Sequence, residues 1–276
     1  MNGGQKTEEK APSHAVEKGK AGQILYDTIC SYRVGTLSLI GGLLIWELMS
    51  RLFVANALFL AAPSQIIVAF GKLSASGELA HHIEVSAVEF IVGYVIACVL
   101  GIGLGLLMAS GEVRKQALQP WVSGLYATPI IALAPLFILW TGIGIWSKIL
   151  VVVSLVLFPV AINTEAGLRT TSERLIEMLR SFDATPRQIF MKVSLPSAMP
   201  FILAGLKLGI GRGLIGVVVG ELFGSRAGLG QLISQSAETF NMPNLFAGVV
   251  ILAVAGIVMT AGFSWIERRL VPWTRD

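Results

Sequence analysis

The sequence predicts an all-α, polytopic membrane protein with about six membrane-crossing helices. Three observations carry that prediction. First, 54% of the 276 residues are hydrophobic and only 14% are charged, whereas a soluble domain carries about a quarter charged residues. Second, mean hydropathy is strongly positive, and the apolar residues gather in runs of roughly 20, the length that crosses a bilayer as a helix. Third, a polar island, Thr170–Pro196, is set between two such runs and is too charged to cross.

Taken in order, residues 1–30 are rich in Lys, Glu, Gly and Ala without a sustained apolar period, and are expected to be a disordered cytoplasmic tail. No signal peptide is expected, because the first apolar run starts only after the tail and has no small-residue cleavage pattern behind it. Residues 31–276 are expected to form the membrane domain, with a core at 84–267 and a cytoplasmic loop at 167–198. Spans are expected near Val34–Val54, Glu84–Ala109, Trp121–Thr141, Ser147–Ala166, Phe201–Phe223 and Leu245–Trp265. Pro129 and Pro135 interrupt the third, so it should be a kinked helix lining a cavity, since broken backbone is not tolerated facing lipid.

Lys and Arg set the orientation. With the amino terminus inside, the cytoplasmic pieces hold Lys6, Lys10, Lys18, Lys20, Arg33, Arg114, Lys115, Arg169, Arg174, Arg180, Arg187, Lys192, Arg268, Arg269 and Arg275. The opposite side holds only Arg51, Lys72, Lys148 and Arg226. That asymmetry places both termini and the polar island in the cytoplasm.

Other function classes find little support. The net charge of +4 could point to nucleic acid, but in a chain this apolar basic residues mark cytoplasmic loops. Cys30 and Cys98 form no disulfide framework or metal cluster, and His14, His81 and His82 have no ligand spacing with Cys or paired carboxylates. No cofactor is expected. There is no GxxxxGK[ST] loop and no nucleophile–base constellation, so the chain is not read as an enzyme. GIGLG at Gly101–Gly105 resembles a nucleotide-binding glycine loop, yet no strand precedes it and it lies inside an apolar helix, which points to small-residue helix packing. The glycines of span five (Gly205, Gly209, Gly211, Gly213, Gly216, Gly220) suit the close approach of a neighbouring helix or of a second subunit.

The polar island is patterned as two short helices. Thr170 with Glu173, and Thr185 with Gln188, have capping-box spacing, and Pro186 falls at a first helical position, where its missing N–H costs nothing. A structured cytoplasmic loop of this kind is a docking surface for a soluble partner. Glu89, Lys207, Arg212 and Glu221 lie within spans, where facing lipid would be costly. Two readings stand for them: pairing inside the bundle, for example of a carboxylate with Lys207 or Arg212, or a cation lining the path of an anionic solute.

The segment Thr170–Pro200 resembles the EAA loop of type I ABC importer permeases. The family pattern is Glu-Ala-Ala, a Gly four residues after the second Ala, and an aliphatic residue shortly before Leu-Pro. The matching positions here are Glu177, Met178 and Leu179, then Asp183, then Val193 and Leu195-Pro196, with Ala184 and Ile189 in the same segment. Three flanking stretches are similar as well: PIIALAPLFILWTGIGIWSKI at Pro129–Ile149, LPSAMPFILAGLKLGIGRGLIGVVVGEL at Leu195–Leu222, and GLGQLI at Gly228–Ile233. Together they look most like the sulfonate, taurine and nitrate branch, in register over about Ala62 to Arg269. Two departures stand out. Met178 and Leu179 replace the Ala pair with bulkier helix formers. Asp183 replaces a Gly that usually supplies a left-handed residue at the end of a helix.

The resemblance implies a MetI-like transmembrane domain in a bacterial inner membrane. It implies a separate ABC ATPase subunit docked on the loop and a periplasmic solute-binding protein at the outer face. A homodimer is the simplest assembly, because one chain offers one loop and an ATPase dimer has two grooves. The expected solute is a small organic or inorganic anion of the sulfonate, taurine or nitrate type. An ion-coupled secondary transporter is the alternative class, although no internal repeat is apparent. Within the superfamily, a methionine or phosphonate permease is the other alternative.

Overall fold

A computed structural model of the chain describes residues 14–52 and 60–272, with side chains from residue 33 onward. The chain divides into two compact units, Met1–Ser64 and Gln65–Asp276.

The first unit holds α1 (His14–Leu52), whose segment Arg33–Leu52 is long and apolar enough to cross a membrane. Leu37, Leu39, Leu44 and Ile45 are exposed on it, as a lipid-facing helix requires. Residues 14–30, expected to be a disordered tail, are helical instead. Their Ala, Glu, Lys and Gln are good helix formers, and they extend a helix already nucleated by the apolar segment. Residues 1–13 of the expected tail lie outside the described residues. Within this unit, which ends at Ser64, Glu47 accepts from the Ser64 amide at 3.1 Å and from its hydroxyl at 2.8 Å, and pairs with Arg51 at 2.6 Å.

The second unit is helical throughout, with no strand among the described residues. In chain order its helices are α2 (Pro63–Ala75), α3 (Glu78–Ala109), α4 (Glu112–Ala127), α5 (Ala134–Thr141), α6 (Ile145–Arg169), α7 (Glu173–Ser181), α8 (Pro186–Ile189), α9 (Leu195–Leu222), α10 (Leu229–Glu238) and α11 (Met242–Leu270). A 3-10 turn, Ile130–Leu133, separates α4 from α5, and a π turn, Phe190–Ser194, joins α8 to α9. Across the described chain, five helices are long and apolar enough to span a membrane, and a sixth span results if α4 and the segment Ile130–Thr141 count as one. That span is bent by 81°. The break follows Thr128, which is extended as a residue before proline must be, and Pro129.

α6 is the central helix, with half of its apolar window buried, whereas only 11% of that of α11 is. α3 and α9 lie against it. The core between them is built from Phe90 and Ala97 of α3, Val152, Val156 and Val160 of α6, and Ile210 and Val217 of α9. Tyr94 adds a polar link from α3 to α9, donating to the Leu206 carbonyl at 2.7 Å.

Small residues decide how closely these helices approach. Gly93, Ala97, Gly101 and Gly105 recur every four residues on the buried face of α3, which puts them on one stripe. A Cβ at Gly101 would stand 2.7 Å from the Leu157 carbonyl, and one at Gly105 would stand 2.6 Å from that of Ala161. Gly103, between them, meets nothing within 4 Å. GIGLG is therefore a packing surface, with its first and last glycines in contact. On α9, Gly205, Gly209, Gly216 and Gly220 meet α6 at Asn163, Val156, Val152 and Lys148 in turn.

Gly105→Ala should lower stability by about 1–3 kcal/mol, because the new methyl meets backbone that has no room to yield. Gly103→Ala should be neutral or slightly stabilising, since it adds helix propensity in open space. Thermal melts of the two detergent-solubilised variants, followed by size-exclusion fluorescence, would show whether only the first falls.

Candidate functional site

The polar island begins where α6 ends. Arg169, in the last turn of α6, pairs with Glu165 of the same helix at 2.7 Å and with Glu112 of α4 at 2.7 Å, and Lys115 of α4 reaches Glu165 at 2.9 Å. This four-member network fixes the start of α4 to the end of α6, directly before the loop. Thr170 is the C-cap of α6, and its hydroxyl folds back onto the Gly167 carbonyl at 2.8 Å. It therefore does not form the expected capping box with Glu173; Ser172 is the N-cap of α7, without a side-chain cap bond. A threonine already engaged in ending one helix is not free to start the next.

The turn between α7 and α8 is precisely closed on both sides. Asp183 has φ of 55°, the left-handed conformation that the family's glycine would supply without strain. The Ala184 amide donates to the Leu179 carbonyl at 3.1 Å and the Asp183 amide to that of Arg180 at 3.0 Å, the two bonds of a Schellman motif. The second helix starts as expected: Thr185 accepts from the Gln188 amide at 3.3 Å, Gln188 accepts from the Thr185 amide at 2.8 Å, and Pro186 takes the first helical position.

α7 itself buries no residue. Leu175, Met178 and Phe182 are 43%, 50% and 75% exposed, and their spacing of three and four puts them on one face. Glu177 and Asp183 are exposed beside that face, while Leu179, Ala184, Val193, Leu195 and Pro196 are half-buried and Ile189 is buried. An apolar stripe of this kind, rimmed by charge, is the mark of an interaction surface. From α8 the chain continues through the π turn into α9 with no intervening loop.

A second set of polar groups lies inside the bundle. Glu89 of α3, only 2% exposed, pairs with Lys148 of α6 at 3.0 Å, and Lys148 also donates to Ser225 at 2.8 Å. Glu221 of α9 is fully buried and accepts from the Ser86 hydroxyl at 2.5 Å and from the Gly230 amide. The Leu229 amide donates to Ser86 at 2.8 Å and the Gly228 amide to His82 Nδ1 at 3.0 Å. Side chains of α3 and α9 thus satisfy three amides at the start of α10, groups a helix leaves without intrahelical partners. The glycines of GLGQLI follow from this: Gly228 has φ of 119°, and a Cβ there would stand 2.2 Å from the Glu221 carboxylate.

The remaining embedded cations differ from each other. Lys207 of α9 pairs with Glu267 of α11 at 3.3 Å, both partly exposed. Arg212 reaches the Tyr126 hydroxyl at 3.4 Å, with its guanidinium carbon 5.7 Å from the centre of that ring. Lys148, Ser86, His82 and Ser225 were not singled out by sequence reasoning. The signal that could have found Lys148 was a lone basic residue just inside a span, one that needs a carboxylate from another helix. Among the described residues, no group of three His, Cys, Asp or Glu is placed to hold a metal ion.

Comparison with known proteins fits this geometry. The family described as binding-protein-dependent transport system inner membrane component matches residues 101–276. The formylaminopyrimidine transport permease protein ThiX of Halalkalibacterium halodurans is 35% identical over 233 residues, 84% of this chain and 92% of its own. A putative aliphatic sulfonates transport permease protein, SsuC of Bacillus subtilis, is 35% identical over 229 residues, 83% of each chain. Among solved structures, an inward-facing conformation of the MetNI methionine ABC transporter shares the fold, with a TM-score of 0.62 at 22% identity over 70% of this chain and 95% of that one. The chain belongs to the family of binding-protein-dependent transport system inner membrane components, and is a multi-pass inner-membrane permease subunit of an ABC importer.

Proposed function

We propose that this permease carries a small anion of the sulfonate, taurine or nitrate type, works as a homodimer, and is driven by a separate ATPase docked on the segment 167–198. The observation that carries the reading is the exposed stripe Leu175, Met178 and Phe182 beside Glu177, on a helix whose C-terminal end is fixed by a Schellman turn. Burying that stripe in a groove of the ATPase supplies apolar contact, and Glu177 supplies a charge that sets the register. Closure of the ATPase would push on α7 and α8 and move α9. A periplasmic binding protein would deliver solute at the face where α10 begins, with both termini on the other side.

A second copy is supported by α9, whose exposed residues Phe201, Leu208, Gly211, Ile215 and Leu222 form one stripe. Gly211, unlike the glycines that meet α6, has nothing within 4 Å. The anionic class is favoured because Glu89, Glu221 and Glu267 are all engaged by donors within the bundle. One relative is named for aliphatic sulfonates. Family membership leaves the ion-coupled secondary transporter without support.

Glu177→Lys should abolish ATP-driven uptake of an organic sulfonate and reduce copurification of the ATPase at least about tenfold, with the permease still inserted in the membrane. Uptake at the parent rate with the charge reversed would refute the docking assignment. At Asp183 the left-handed φ sets the order of variants. Asp183→Gly should preserve ATPase copurification and uptake, whereas Asp183→Val should lose most of both, because a β-branched side chain resists positive φ. If Gly fails and Asn succeeds, Asp183 contributes a hydrogen bond to the partner and not a backbone conformation alone.

A further inference from the structure

We propose that Arg212 and Tyr126, with Ser154, form a subsite inside the permease for the anionic head group of the solute. Of the cations Lys148, Lys207 and Arg212, the first two have carboxylate partners on other helices. Among the described residues, Arg212 has no carboxylate within ion-pair distance; its contact is the Tyr126 hydroxyl at 3.4 Å. A guanidinium carries five donors in a planar fork that matches an oxyanion, and a single long contact leaves most of them unused. An embedded cation in that state is costly unless it faces water or an anion.

The surroundings suit an oxyanion. Arg212 lines a cleft of about 160 Å³ in which Tyr126, Thr128 and Ser154 face an apolar wall of Pro129, Ile130, Ile131 and Leu155. A cleft of that size has room for a sulfonate or nitrate group. The cleft lies at the break of the third span, where the chain bends by 81°. Non-helical backbone at membrane depth is tolerated where it lines a cavity, so the break and the unpaired arginine account for each other. The hydroxyls of Tyr126 and Ser154 are donors to an anion that still leave it free to depart, while the Thr128 hydroxyl is taken up by the Gly124 carbonyl at 2.9 Å.

This inference rests on the reading of the solute as an anion, and its test does not depend on transport. The full chain, with Cys30 and Cys98 replaced by Ala and Ser154→Cys introduced, is prepared with its ATPase in vesicles of phosphatidylcholine. Labelling rates are compared for two methanethiosulfonates of similar size, one bearing a sulfonate and one a trimethylammonium. The sulfonate reagent should react faster, and Arg212→Gln should cut the ratio of the two rates at least about tenfold, as expected when a cleft loses its focusing charge. Arg212→Lys should retain most of the preference. Added methanesulfonate should slow labelling by the sulfonate reagent only while Arg212 is present. An unchanged ratio in Arg212→Gln would overturn the proposal, as would failure of either reagent to reach the cysteine. Protection that appears only in vesicles of anionic lipid would overturn it too, by making the ligand a headgroup. Because labelling needs neither ATP hydrolysis nor uptake, a negative result here is separable from failure of the Glu177→Lys experiment.

Discussion

With a small residue every four positions, α3 settles so low on α6 that the carbonyls of Leu157 and Ala161 occupy the space where side chains would begin. α9 approaches the other side of α6 in the same way. In lipid there is no hydrophobic force to drive helices together, so dispersion contact across such surfaces supplies the attraction. The other features depend on that proximity. Glu89 reaches Lys148, and Ser86 reaches Glu221, only because the backbones that carry them lie close together. Once α3, α6 and α9 form a rigid block, the turns at its two ends can be held to fixed geometry.

The two ends use polar groups in different ways. Where α10 begins, buried side chains from α3 and α9 satisfy amides that a helix start leaves open, and the chain there takes conformations only glycine enters easily. At the loop end the polar groups are exposed, and order comes instead from local hydrogen bonds: a network that pins Arg169, a Schellman turn and a capping box. The exposed loop is thereby shaped in the absence of any partner, which would reduce the ordering cost of an association there.

Much of this was readable in the residues. Helix length and apolarity located the spans, because the bilayer imposes a minimum length on any helix that crosses it. Three helices nonetheless start well before the expected spans, at Glu78, Glu112 and Leu195 instead of Glu84, Trp121 and Phe201, since polar residues extend them beyond the apolar run. Thr185, Pro186 and Gln188 announced the start of α8, since capping is a local interaction between neighbours in sequence. The spacing from Glu177 to Asp183 located the left-handed turn through family likeness. Thr170 misled, because the residue that could cap α7 was already closing α6. Pairing across helices was hidden: Glu89 and Lys148 are 59 positions apart in the chain, and nothing in either neighbourhood names the other. The size of the break after Thr128 was also out of reach, since two prolines predict an interruption and not an angle.

The π turn at Phe190–Ser194 has a mechanical meaning. It lets α8 and α9 run as one element of 37 residues from Pro186 to Leu222, roughly 55 Å at the helical rise. A connecting loop would act as a slack tether and dissipate any push. A continuous helix would carry such a push without slack from Pro186 as far as Gly205, where the glycine contacts with α6 begin. The Asp183 turn, closed by two backbone hydrogen bonds, holds α7 at a set angle to that element, so α7 and α8 would meet a load as one piece.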